Sequence, residues 1–332
     1  MGGKALKSVQ TIRINKGQFD SISNKICERL KDNFTLIGIP TFYRNKETFG
    51  DIDILVSTTN INLDIRKYIF DTFSPNEIFH NGNCYSFDVD SVQIDLILTT
   101  DEHFQSYLTY LSGSDMGNFI GKIAMGFGCR YGQEGLWVEH YFKNTNLGKI
   151  YLSKNTKKIF EFLDLSYDKY LEGFDSLEDI FIFISKSKFF NWEKVQLENN
   201  NKVNRDRDKK RNTYQEFLKW IDENVRDDAH NYQSHKDKTL YYDMISEYFP
   251  EAKLEMYIRE KEYLYCKDLL IKSKFNGGEI KRRFGLDGKE LGDKIYQFKN
   301  AIKVIFPKET FDEYVLNNDS EQIYEDFKNY IE

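Results

Sequence analysis

Proline and cysteine are both scarce. Four Pro in 332 residues leave no Pro-rich linker, and the four Cys (Cys27, Cys84, Cys129, Cys266) stand apart with no C-x-x-C pair. That scatter argues against a disulfide framework and a zinc ribbon, and a reducing, cytoplasmic setting is the expectation. No apolar run approaches the ~18 residues a membrane span needs, and no apolar segment follows Met1-Gly2-Gly3-Lys4. Neither a membrane partner nor a secretory leader is therefore expected. The five His (His80, His103, His140, His230, His235) show no ligand spacing on one helix, so zinc is not expected either, and no Ser-His-Asp or Cys-His arrangement can be built from their order. Aromatic residues, by contrast, are plentiful. With 27 Phe, 22 Tyr and 40% hydrophobic residues the chain can fill packed cores, and its length suggests two domains.

A net charge of −6 disfavours a general nucleic-acid coat, but the charges are segregated. Residues 202–211 (KVNRDRDKKR) hold six basic and two acidic side chains, residues 272–303 nine basic and four acidic, and the last 23 residues seven acidic and one basic. Basic stretches of this kind can dock phosphate backbones, and they can equally be solvated helix faces.

Periodicity divides the chain into an α/β part, 1–150, and a mostly helical part, 151–332. Phe19, Ile22, Ile26 and Leu30 recur at helical spacing over about 16–33. Strands are predicted at 35–39, 52–57, 84–90 and 92–98, with a helix over 64–73. Beyond the soft boundary near Gly148, Ile159, Phe162 and Leu163, then Phe217, Ile221 and Val225, then Leu254, Tyr257, Ile258 and Tyr265 mark helices. The expected fold class is α+β.

The sharpest signal is Gly50-Asp51-Ile52-Asp53-Ile54-Leu55-Val56. Side chains alternate across a strand, so Asp51 and Asp53 share one face while Ile52 and Ile54 point to the core. Two carboxylates side by side are costly unless a divalent cation neutralises them, and hard oxygen donors suit Mg²⁺, or Mn²⁺ in its place. Val92-Gln93-Ile94-Asp95-Leu96-Ile97 repeats the alternation, with Asp95 as its charged member. Three carboxylates on neighbouring strands would form a two-ion platform for phosphoryl chemistry. Upstream, Thr41-Phe42-Tyr43-Arg44-Asn45-Lys46-Glu47-Thr48-Phe49-Gly50 is a polar, basic turn able to offer a phosphate a hydroxyl, a guanidinium and backbone N–H groups.

On these residues the chain resembles the nucleotidyltransferase superfamily, and within it the family X DNA polymerases of the beta type. Arg44 and Gly50 fall into that family's register before Asp51, and Asp95 lies in the expected apolar strand, while Pro40-Thr41 stands where the family has Gly-Ser. Tyr110-Leu111-Ser112-Gly113-Ser114-Asp115-Met116-Gly117-Asn118 is similar to the family's Tyr-Phe-Thr-Gly-Ser-Asp segment with Asn three residues on. There Met116, Ile120, Ile123 and Phe127 form a core stripe, and Asp115, Asn118 and Lys122 lie on a distant face of the same helix. The resemblance spans about residues 35–140. It implies a polymerase beta-like core in which Asp51, Asp53 and Asp95 hold two Mg²⁺ ions and serve catalysis, and Thr41, Arg44 and Gly50 cradle the nucleoside triphosphate. It further implies that Tyr110 and Gly113 flank the sugar, that Asp115 and Asn118 meet the incoming base, and that Lys122 meets a nucleic-acid strand. With some 35 residues ahead of the resemblance, the lyase and helix-hairpin-helix elements that usually precede this core are not expected.

Phe275 to Gly292 reads as a short helix, a Gly-punctuated turn and a second helix, weakly similar to an element of CCA-adding enzymes and poly(A) polymerases. Lys281, Arg282, Arg283, Lys289 and Lys294 there could track a nucleic-acid backbone. The expected activity is Mg²⁺-dependent addition of nucleotides to the 3′-hydroxyl of DNA or RNA, most like a minimal family X polymerase. Alternatives are untemplated tailing of an RNA or tRNA 3′ end, transfer to a small-molecule or protein hydroxyl, and an inactive nucleic-acid-binding relative.

Overall fold

The computed structural model describes residues 3–58, 63–225 and 231–332. It is a mixed α and β structure with a helical C-terminal region. The chain divides into two compact units, Met1–Glu139 with Lys149–Leu254, and His140–Gly148 with Glu255–Glu332.

The first unit is built on a five-stranded sheet. In chain order its first elements are β1 (Ile14–Asn15), α1 (Lys16–Leu30), β2 (Leu36–Gly38), β3 (Thr48–Phe49), β4 (Asp51–Ser57), α2 (Ile65–Phe73), β5 (Ile78–Asn81), β6 (Cys84–Val89) and β7 (Val92–Thr99). The sheet order is β2-β4-β7-β6-β5, and a separate ribbon pairs β1 with β3. Only β4 and β7 run parallel; the other neighbours are antiparallel. Sequence dictates much of this locally. Asn15 starts α1 with a capping box to Gln18, and Phe19, Ser23, Ile26 and Leu30 follow as its buried stripe. Ile52, Ile54 and Val56 of β4 pack with Ile94 and Leu96 of β7 and with α1 and α2.

The expected carboxylate face of the sheet is covered farther along by α3 (Phe104–Leu111), where Leu55, Ile97 and Tyr107 cluster. A tight turn follows, with Gly113 at φ +68° and Ser114 at φ +60°, and then α4 (Met116–Met125). Met116, Ile120, Ile123 and Phe127 are all buried, as their spacing requires. A second sheet pairs β8 (Cys129–Gly132), β9 (Gly135–Phe142) and β10 (Thr145–Ser153) in the order β10-β9-β8.

Helices α5 (Thr156–Phe162), α6 (Tyr167–Glu172), α7 (Leu177–Ser185), α8 (Trp192–Val195), α9 (Lys202–Asp208), α10 (Asn212–Asn224) and α11 (Tyr242–Tyr248) complete this unit. Their aromatic side chains close directly on α4 and the turn after it. Phe119 lies 4.2 Å from Phe217 and 6.2 Å from Phe181 between ring centres, and Phe127 lies 5.3 Å from Phe162. These shared cores explain why the division falls after Leu254 and not at the expected boundary of 150: the helices through α11 have their apolar partners in the N-terminal half.

The second unit contains all of α12 (Leu254–Lys274) except its first residue, then α13 (Gly277–Phe284), α14 (Gly288–Ile305), α15 (Phe311–Asn317) and α16 (Ser320–Ile331). Phe275, Ile280, Phe298, Tyr314, Val315, Ile323 and Phe327 form its core. The predicted helix–turn–helix is present: Asn276 caps α13, Gly285 ends it at φ +69°, and Asp287 caps α14. The tip of the β9–β10 hairpin joins this unit through Lys261, which donates to Leu147 O at 2.8 Å, and through His140, 3.0 Å from Glu262. Among the described residues no helix is long and apolar enough to cross a membrane.

Candidate carboxylate site

The parallel pairing of β4 and β7 sets Asp53 opposite Asp95 and Asp51 opposite Gln93. All four side chains therefore share one face of the sheet, with Asp51 and Asp53 half-buried. Burial raises the carboxyl of Asp53 well above the ordinary carboxylate range, and the charges of Asp51 and Asp95 push it further the same way. Asp95 is raised to about 6, chiefly by burial, with Asp51 adding to the effect while the Ser86 hydroxyl and the Gln93 amide oppose it. Opposing charge comes from Lys46. Its ammonium sits 3.8 Å from the centre of the Phe42 ring and 4.7 Å from that of Phe49. Burial lowers it to about 8, against the pull of Asp51 and Asp53. The Lys46 ammonium is thus set against Asp51 and Asp53, while burial and mutual repulsion push Asp53 and Asp95 toward the protonated form.

The donor set suits a hard divalent cation in kind: carboxylate oxygens on adjacent strands, of like charge and partly desolvated. Among the described residues no group of three or more His, Cys, Asp or Glu side chains is placed to hold a metal ion. The carboxyl groups are neighbours in strand register.

The turn before β4 is placed by α3 and by the segment after α6. Thr41 N–H donates to the Ser112 hydroxyl at 3.1 Å, and Thr41 O accepts from Gly113 N–H at 2.8 Å. Thr41 itself is exposed, and these bonds join the turn before β4 to the turn between α3 and α4. Gly50 is buried between β3 and β4. Arg44 faces elsewhere than the carboxylates: its guanidinium pairs with Asp175 and donates to Glu172 O, and its own N–H donates to Phe174 O at 2.9 Å.

The α4 motif is brought onto one face, and that face is occupied from within. Asp115 pairs with Arg211, and Asn118 Oδ1 accepts from Arg207 at 3.0 Å. Lys122, expected to meet a nucleic-acid strand, is enclosed at 7% exposure: it donates to Asn200, lies 3.8 Å from Asp208 and sits 5.8 Å from the Tyr214 ring centre. The basic run 202–211 has folded onto this helix. Tyr110 lies between these groups and the sheet, its ring packed so closely on Gly117 that a Cβ there would fall 2.8 Å from it. Burial raises its phenol, with Arg207 and Arg211 opposing.

In the second unit the expected backbone-tracking cations are exposed but paired. Lys281 reaches Asp287 at 2.5 Å, Arg282 reaches Glu279 at 2.5 Å, and Arg283 bridges Glu279 at 2.6 Å and Glu321 at 2.5 Å. Lys289 is exposed on the first turn of α14. Of the histidines, His80 stacks on Tyr85 and His140 joins Glu262, while His230 lies outside the described residues.

Sequence reasoning passed over Lys46, Gln93, Arg207 and Arg211. Gln93 could have been found from strand alternation, since it stands two residues before Asp95 and so on the same face. No family model matches the chain, and no curated protein matches it significantly.

Proposed function

We propose that the chain is a metal-dependent nucleotidyltransferase that adds nucleotides to the 3′-hydroxyl of a nucleic acid. The observation carrying this reading is the in-register pair Asp53–Asp95 with Asp51 beside it on one sheet face, where carboxyl groups are stacked and the Lys46 ammonium opposes Asp51 and Asp53. A protein gains nothing in stability from such an arrangement, and carboxyls shifted by burial and by one another support reading the cluster as a functional site. Asp51, Asp53 and Asp95 would hold Mg²⁺, which when bound supplies the positive charge that activates the acceptor hydroxyl and offsets the triphosphate.

The chain's own residues do the rest. Thr41 and Arg44 orient the β- and γ-phosphates, Arg44 leaving an exposed pair with Asp175 that costs little to break. Lys46, held against two rings beside Asp51 and Asp53, balances the charge of the site before substrate arrives. Tyr110 and the Gly113 turn bound the sugar. Attack on the α-phosphate then releases pyrophosphate.

Templated extension, as in a minimal family X polymerase, is the first reading. The enclosure of Lys122 by residues 200–208 favours a second, untemplated tailing of a 3′ end, because the helix face expected to meet a paired strand is taken by the protein's own side chains. The deciding experiment incubates the protein and its Asp53→Ala variant with Mg²⁺, labelled primer–template DNA, single-stranded DNA and tRNA, supplying each dNTP and NTP separately. Products that follow the template support the first reading, and one preferred nucleotide on any 3′ end supports the second. Turnover by Asp53→Ala would overturn the assignment, and no product on any acceptor would move it to a small-molecule or protein hydroxyl.

A further inference from the structure

The segment before α1 is an arm that runs back across the edge of the sheet carrying the carboxylates. Ile12 N–H donates to Ser91 O at 2.9 Å, and the Thr11 hydroxyl donates to Gly3 O at 2.8 Å, folding the arm on itself. Leu6 is buried, and the amides of Lys7 and Ser8 donate to Glu77 at 3.0 Å and 2.7 Å. Two further amides of the arm reach the candidate site. Gly3 N–H donates to Asp51 Oδ2 at 3.0 Å, and Ala5 N–H donates to Gln93 Oε1 at 2.9 Å. Gly3 is suited to this approach, with φ +77° and a position where a Cβ would lie 2.1 Å from Gly50 O.

Gln93 is 2% exposed, and its Nε2 donates to both carboxylate oxygens of Asp95, at 2.9 Å and 3.1 Å. A carboxamide can present either its oxygen or its nitrogen to a neighbour. The Ala5 N–H requires the oxygen on its side, which leaves the nitrogen for Asp95. A neutral amide holds the carboxylate in place without cancelling its charge, and a carboxylate has about four acceptor positions, so room remains for a cation.

Resting on the carboxylate reading above, we infer that Gln93 is a positioning residue for Asp95, and that residues 3–5 of the arm belong to the site because they fix the Gln93 amide and hold Asp51. The same contacts could describe a cover that blocks the site, and the two roles predict opposite results. The test is calorimetric titration of Mg²⁺ and of Mn²⁺, without nucleotide, into the full chain and into Gln93→Leu, Ala5→Pro and Gly3→Ala. Ion-free melting and circular dichroism accompany it.

Ala5→Pro removes the N–H that orients Gln93, at the cost of fixing φ there and restricting Lys4, but lies outside the core, so it keeps the test decisive if Gln93→Leu folds poorly. For a positioning role, Gln93→Leu and Ala5→Pro bind the ion about 10- to 100-fold more weakly, the range for groups that orient metal ligands, with ion-free melting little changed. In turnover, kcat falls while KM for nucleotide holds. Equal ion affinity in wild type and variants overturns the inference and leaves the carboxylate reading intact. Tighter binding or faster turnover in the variants overturns it in favour of a cover. Absence of ion binding in the wild type removes the carboxylate reading and the inference together.

Discussion

The two units handle charge in opposite ways. On the sheet of the first, Asp51, Asp53 and Asp95 stand together, and the partly buried ammonium of Lys46 opposes Asp51 and Asp53. On α13 of the second, Lys281, Arg282 and Arg283 each reach a carboxylate on the exposed surface. Counting charges would rank the second region as the more conspicuous, since residues 272–303 carry a basic excess. The structure reverses that ranking. Exposed ion pairs contribute little and are screened by salt, whereas like charges gathered in a partly desolvated place must be sustained by something other than stability.

The strongest way to break this contrast is Asp53→Asn. Turnover should fall on the order of 10³-fold or more. The ion-free protein should at the same time melt higher, because a carboxyl whose ionisation is opposed by burial, Asp51 and Asp95 has been replaced by a neutral isostere. Wild type should recover stability on adding Mg²⁺ and the variant should not. A variant that is both inactive and less stable would mark Asp53 as a structural residue and dissolve the contrast.

A pH series sharpens it further. The carboxyl of Asp95 titrates at about 6 in the fold and near its ordinary 3.8 when unfolded. The folded state therefore holds a proton between these values that the unfolded chain has released. The favourable contribution is complete below pH 3.8 and is lost as pH rises through 6, at most about 3 kcal/mol at ~1.36 kcal/mol per unit. Asp53 acts in the same direction. Ion-free stability should thus decline between pH 4 and pH 6 more steeply in wild type than in Asp95→Asn, as followed by denaturant titration. An unchanged slope would show that Asp95 ionises freely.

The sheet and its carboxylates were legible because strand alternation is a strict period: Ile52 and Ile54 inside force Asp51 and Asp53 to the other face, and the same logic sets Asp95. The α4 stripe and the Gly285 turn were legible for the same local reasons. Partners distant in sequence were not. Nothing local tells that Arg207 and Arg211 will fold onto Asn118 and Asp115, or that Glu321 will reach Arg283; the pairs of Glu279 with Arg282 and Arg283, three and four residues on, are local ones. The domain boundary was misplaced for a related reason: periodicity reports that Phe217 has a buried face but not that Phe119 is what covers it. The short strands β1, β3 and β5 were missed because two to four residues carry too little pattern.

A smaller effect tests the other half of the contrast. If the cations of α13 are already matched, neutralising Lys281, Arg282 and Arg283 together should change the salt dependence of nucleic-acid binding by less than one unit in the slope of log K against log salt. Were all three phosphate contacts, the slope should fall by about 2 to 3 units. Binding measured by fluorescence anisotropy from low to physiological salt separates these outcomes, and the steeper loss would make α13 an interface after all.

The smallest effect concerns the arm, where an exposed carboxylate does for the first unit what Glu279 does for the second. The hydroxyl and amide of Ser8 and the amide of Lys7 hold Glu77 down at about 2. A lowered carboxyl contributes above its ordinary 4.5 and loses that contribution as pH falls toward 2, the reverse of Asp95. The arm should therefore loosen locally in acid while the sheet, whose carboxyls are favoured protonated, does not. Hydrogen exchange at the amides of Lys7 and Ser8 should quicken relative to Ile54 and Ile94 in Glu77→Gln at neutral pH, and in wild type as pH drops below 4.5, after correction for the intrinsic rate. Equal protection in both proteins would mean that Leu6, not Glu77, seats the arm, and that its hold on Gln93 is hydrophobic in origin and indifferent to pH.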